Sequence, residues 1–158
     1  MTEQTSKNDV ALAIIDKYIL GALGVGLVPF PVIDMTVLMA LQLKMLHSLA
    51  AVYETQFKDE LGKEIISACL ASVVPMSLTL NVSHLLRFIP VYGWLLKGMS
   101  GSLFAGLFTY TIGKLFIQHF ESGNTFLTLD PQQVKDHFST QFKQAQAEVS
   151  KSFVGIKP

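Results

Sequence analysis

Val28-Pro29-Phe30-Pro31-Val32-Ile33-Asp34 is the stretch that decides how this chain folds, and Phe88-Ile89-Pro90-Val91-Tyr92-Gly93 repeats its plan further along. Each follows a long apolar run and precedes another. Proline lacks an amide donor and pushes the residue before it out of helical geometry, so Pro29, Pro31 and Pro90 mark turns between helices. Gly93 completes the second turn, and Asp34 is expected to cap the helix that follows the first. The reading is an all-α protein: a helical bundle of two proline-tipped hydrophobic hairpins, followed by a C-terminal amphipathic helix.

Working outward, a polar lead over residues 1–8 precedes a first helix that ends near Leu27, with Ser6, Asn8 or Asp9 as candidate caps. The second helix is expected over 34–53. Residues 54–59 form a polar connector, with Asp59 as the cap of a third helix over 60–86, kinked at Pro75. Residues 65–86 carry no formal charge, which gives them the length and polarity of a membrane span. A fourth helix covers 93–120 with only Lys97 and Lys114 as charges. These segments form one predicted domain, 1–123.

The composition changes after Gly123, where a second region, 124–158, begins. Asn124–Leu129 reads as short and extended. Asp130-Pro131 with Gln133 is a helix start: an acidic cap, proline at the first helical position and an amide side chain at the third. The last helix, 131–153, repeats Val134, Phe138, Phe142, Ala145, Val149 and Phe153 at spacings of three and four, an amphipathic stripe that must lie on the bundle, a partner helix or lipid headgroups.

Half of the 158 residues are hydrophobic and 15 % are charged, against about 25 % in an ordinary soluble domain. Twelve basic residues balance twelve acidic ones, so the electrostatic footprint of a nucleic-acid binder is missing and no nucleic-acid partner is predicted. The first residues lack the basic region and cleavage pattern of a signal peptide, which predicts a cytosolic N-terminus. One cysteine, Cys69, has no internal partner for a disulfide.

Insertion energies are balanced. Ten Leu, Ile or Val residues lie between Val10 and Val28, each worth about −0.3 to −0.6 kcal/mol toward hydrocarbon. Asp16 and Lys17 near the middle cost roughly 2.5–3.5 kcal/mol each. Either the helices enter lipid as cooperating hairpins, or a soluble bundle exchanges with a membrane-bound form, or the apolar faces are buried in a soluble oligomer.

Along the fourth helix Gly98, Ser102 and Gly106 recur every fourth residue, beside Gly101, Ala105, Thr109 and Gly113. Two ridges of small residues make a groove for close approach of another helix. Gln42 falls on an apolar wheel face with Leu38, Leu41, Met45 and Leu49, where an interhelical hydrogen bond is expected. The four histidines have no metal-ligand spacing, no phosphate loop is present, and no nucleophile is paired with a base. No catalytic residue, metal or cofactor is predicted.

The segments Gly24–Asp34, Leu41–Tyr53, Phe88–Gly93 and Thr111–Phe120, in that order, resemble domain-of-unknown-function family 697 over about residues 10–122. The resemblance implies a bacterial, membrane-associated helical module, often fused behind a small GTPase domain; here it stands alone, so a GTPase partner would act in trans. The expected role is a non-enzymatic anchor, adaptor or assembly subunit at the cytoplasmic membrane, homo-oligomeric, with both termini and the 54–59 connector on the cytoplasmic side. Two other readings stay open: a transport or pore element lined by Gln42, Asn81 and Lys97, and a soluble homo-oligomeric scaffold.

Overall fold

A computed structural model describes residues 2–25, 31–73 and 101–154. Five α-helices and a short 3-10 turn make up those residues, with no strand among them: α1 Thr2–Val25, α2 Pro31–Val52, α3 Asp59–Val73, α4 Gly101–Glu121, the turn Phe126–Thr128, and α5 Pro131–Val154. The predicted turn residues Pro29, Pro90 and Gly93, together with Gly98, the kink at Pro75 and the greater part of 65–86, lie outside the described residues. Pro31 does not end a helix but opens α2, at the first helical position, where its missing donor costs nothing. Asp34 accordingly falls inside the first turn of α2 rather than ahead of it.

The helices form two layers. Antiparallel α1 and α2 run alongside α4, with α1 lying between the other two; α3 and α5 pack on each other and cover the opposite face through α2 and α4. One continuous apolar core joins the layers, from Ile15 on α1 through Met45, Leu49, Ile66, Phe108 and Phe116 to Phe138 and Phe142 on α5. Burial of this apolar surface is the main stabilising term. The four rings Phe104, Phe108, Phe138 and Phe142 interlock, with centroids 5.1–6.1 Å apart.

Two expectations about local structure change. The lead over residues 1–8 is not a loose lead: α1 already begins at Thr2. Its polar side chains reach across the bundle instead of capping. Lys7 Nζ lies 3.1 Å from Glu54 Oε1, and Asn8 Nδ2 donates to Glu121 Oε1. Asn124–Leu129 is not extended either. Phe126 is fully buried between Phe57 and Phe116, and its amide donates to Thr55 Oγ1 at 3.2 Å. Sinking that ring tightens the backbone into the 3-10 turn, closed by Leu129 N to Phe126 O.

The chain ends its helices as local chemistry dictates. Thr55 N donates to Ala50 O and Glu54 N to Ala51 O, the paired bonds of a Schellman cap, which places Glu54 at φ +56°. Gly123, at φ +79°, plays the left-handed role after α4. Asp130 Oδ1 accepts from Gln132 N at 2.9 Å, so α5 starts with an acidic cap ahead of Pro131. The C-terminal end of α5 stands level with Leu23 and Leu103, at the other end of the bundle from the Lys7–Glu54 pair. The common end expected for both termini is therefore not what the helix order produces, because α5 carries the chain back.

The polar end of the bundle has a pH signature. Tyr53 donates to Glu121 at 3.4 Å; burial, then the Glu121 charge and that hydrogen bond, push its phenol from 10.0 up to about 12. The folded state holds this proton more tightly than the unfolded state, so the contribution is complete below pH 10.0 and is lost as pH rises toward about 12. The melting temperature is predicted to fall over that alkaline window, less steeply in Tyr53→Phe, by thermal denaturation against pH.

Candidate functional site

The small-residue face of α4 has an occupant within the chain itself. A Cβ built on Gly113 would stand 2.7 Å from both Cδ1 and Cγ1 of Ile15, and one on Gly106 would stand 2.8 Å from Leu23 Cδ2. Ser102 Oγ donates to Leu23 O at 2.6 Å. Ala105 is buried within the same core, and Gly101 is the first residue of α4. Thus Ser102, Gly106 and Gly113 are brought together along one seam against α1, whereas Gly98 lies outside the described residues. The seam allows α1 and α4 to approach more closely than any side chain at these glycines would permit.

Gln42 is fully buried between α2 and α4. Its Nε2 donates to Thr109 Oγ1 at 2.7 Å, and that hydroxyl donates in turn to Ala105 O, also at 2.7 Å. Gln42 Oε1 has no hydrogen-bond partner among the described residues. Asn81 and Lys97, the other residues read as a polar lining, lie outside them, and Gln42 borders neither of the two hollows described below.

The first hollow, about 270 Å³, lies between the end of α4, the 3-10 turn and the start of α5, with His119, His137, Gln133 and Asp130 on its walls. His119 Nε2 is 2.9 Å from Thr125 O, so that nitrogen carries its proton and serves the loop. Thr128 Oγ1 and Ser122 Oγ donate to the main-chain carbonyls of Thr125 and Gln118. Among the described residues no three His, Cys, Asp or Glu side chains converge on a metal position. Cys69 is buried, and desolvation pushes its thiol up to about 12, which keeps it protonated and unreactive at neutral pH.

The second hollow, about 410 Å³, is mainly apolar, with Tyr110 and Glu148 also on its lining. Its floor is α4 at Leu103, Gly106 and Leu107, its walls Ile19 and Leu23 of α1 and Ala145 and Val149 of α5. Periodicity along one helix could not have found it, because α1, α4 and α5 all line it. Apolar exposure continues on the bundle surface at Leu20, 71 % exposed, and Val37, 40 % exposed, on the paired ends of α1 and α2. Asp16, Lys17, Lys44 and His47 are exposed on these helices toward the polar end. No helix among the described residues is long and apolar enough to cross a membrane.

What the geometry defines is an α-helical bundle with an apolar core, a close α1–α4 seam and a mainly apolar hollow among α1, α4 and α5. The chain belongs to the DUF697 family, a domain of unknown function, whose profile matches residues 3–147. It is 29 % identical over 150 residues to Magnetosome membrane protein 22 of Magnetospirillum gryphiswaldense, a span covering 94 % of this chain and 77 % of that relative. No solved structure matches it.

Two sets of substitutions test the seam and the buried amide. Gly113→Ala gains about 1 kcal/mol of helix propensity but meets a branched, fully buried Ile15, so a net loss of roughly 1–2 kcal/mol is predicted by denaturant unfolding. Gln42→Leu removes a buried oxygen that has no partner and leaves Thr109 bonded to Ala105; it is predicted to be neutral or stabilising by up to about 1 kcal/mol. Thr109→Val strands both ends of the Gln42 amide and is predicted to cost about 1–3 kcal/mol in the same measurement.

Proposed function

We propose that this chain is a non-enzymatic, membrane-associated helical protein that serves as an anchor, adaptor or assembly subunit on the cytoplasmic face of a bacterial membrane. The observation that carries the reading is the likeness to a magnetosome membrane protein, with a charge-poor stretch on three packed helices in support. At one end stand Lys7, Glu54, Asp59, Glu60 and Glu121. Toward the other, residues 18–25 of α1, 35–43 of α2 and 101–113 of α4 carry no charged side chain, with Asp34 of α2 and Glu148 and Lys151 of α5 as the charges at that end, and Leu20 and Val37 are open to solvent there. Leu20, Val37 and Tyr110 are exposed on these charge-poor stretches, while Val10 and Leu127 are exposed nearer the polar end; contiguous exposed apolar surface marks a lipid or protein contact.

In this reading the apolar pole meets the bilayer and the polar pole, with the 54–59 connector, faces the cytosol. The bundle lies at the interface, which keeps both termini on the cytoplasmic side although they stand at opposite poles. Homo-oligomerisation and a GTPase partner in trans belong to the same proposal, the second supported only by the family resemblance. Size measurement in detergent-free buffer tests the first, and co-purification with a nucleotide-loaded GTPase from the same genome tests the second.

The membrane reading is tested by floating the purified chain with phospholipid vesicles on a density gradient. The chain is expected to rise with the vesicles. Leu20→Glu with Val37→Glu changes two exposed positions and places charge where hydrocarbon is expected. The bound fraction is predicted to fall by about tenfold or more with the melting temperature unchanged. Wild-type protein left at the bottom of the gradient contradicts the reading.

A further inference from the structure

We propose that the Gln42–Thr109 hydrogen bond is a register pin: it selects one placement of α2 along α4 from several that the apolar surfaces alone accept. The inference concerns the bundle itself and stands or falls apart from the membrane reading. α2 is apolar nearly all round. Between Pro31 and Val52 its charged residues are Asp34 and Lys44, and Val37, Ala40 and Ala51 are exposed while Leu38, Met45, Leu46 and Leu49 are buried. A helix with apolar residues on both faces has no strong stripe to fix its rotation or height. Slid by one turn, Leu46 takes the place of Gln42, and Met45, Leu49 and Ala50 take the places of Leu41, Met45 and Leu46. Cores accept such exchanges of apolar side chains and lose uniqueness before they lose stability.

Gln42 is what the slid arrangement cannot satisfy. α2 and α4 both run antiparallel to α1, hence parallel to each other, so the slide carries Gln42 one turn back along α4, from Thr109 to Ala105. A methyl group offers the amide no partner, and a buried amide without one carries a desolvation penalty. In the observed register Nε2 donates to Thr109 Oγ1 at 2.7 Å, and that hydroxyl is itself tied to Ala105 O at 2.7 Å, so the acceptor is fixed in place. The other polar links of α2, Tyr18 with Ser48 at 3.4 Å and Lys7 with Glu54 at 3.1 Å, are partly or wholly exposed, where water competes. Gln42 Oε1 stays unpartnered among the described residues. A residue that lowers stability yet fits one placement alone acts as a specificity device. The consequence reaches the surface, because a one-turn slide moves Val37 and Lys44 about 6 Å along the bundle relative to Leu20 on α1.

Spin labels report the register directly. Ala40→Cys on α2 and Gln118→Cys on α4 place labels at exposed positions, in a Cys69→Ala background that removes the natural thiol. The labelled parent is expected to give one narrow distance distribution. Adding Gln42→Leu is expected to broaden that distribution or displace its maximum, with a melting temperature equal to or above the parent's. Gln42→Met, an unbranched and adaptable chain, repeats the test should leucine fit poorly. Thr109→Ser keeps the hydroxyl and is expected to preserve the single distance, although it removes a methyl group from the core. A distribution in both Gln42 variants that matches the parent overturns the pin, as does broadening in Thr109→Ser equal to that in Gln42→Leu.

Discussion

The close contact of α1 with α4 is the constraint on which the remaining architecture depends. With hydrogen in place of a side chain at Gly106 and Gly113, the two backbones come near enough for Leu23 and Ile15 to fill the space. Ser102 then reaches the Leu23 carbonyl. That contact holds the first described helix against one a hundred residues later and fixes their antiparallel register. α2 then packs along α1, and the Gln42–Thr109 bond sets α2 against α4. The second layer is then a cover. Glycine in a helix costs about 1 kcal/mol relative to alanine, a cost offset here by packing that no larger residue would allow.

Polar chemistry is distributed with the same economy. Long side chains at the start of α1 tie the ends of α2 and α4, the Tyr53 phenol rests on Glu121, and His119 steadies the turn that leads into α5. Each of these groups is engaged in holding a helix end. In the more polar hollow His119, Ser122 and Thr128 serve main-chain carbonyls.

Much of this was legible in the sequence wherever a pattern repeats along one helix. The stripe through Val134, Phe138 and Phe142 reads directly as the buried face of α5, Asp130-Pro131 reads as its start, and the four-residue spacing of Ser102 and Gly106 reads as a close-packing face. Gln42 stands out because an amide on an apolar wheel needs a partner; the partner, Thr109, is 67 residues away and has no local signal. The start of α1 is hidden for the same reason, since Lys7 and Asn8 look like loop or cap residues until Glu54 and Glu121 are beside them. Phe126 looked extended because burial against Phe57 and Phe116, not local propensity, bends that segment. The apolar hollow belongs to three helices at once and has no counterpart in any one of them.

The account stands on these exposed apolar surfaces finding lipid in the cell. Fractionation of cells expressing the chain at native level tests that most directly. The account predicts that the protein sediments with membranes and stays there through a high-salt wash, because its net charge is zero and salt weakens only electrostatic contacts. Recovery in the supernatant before any wash would contradict it.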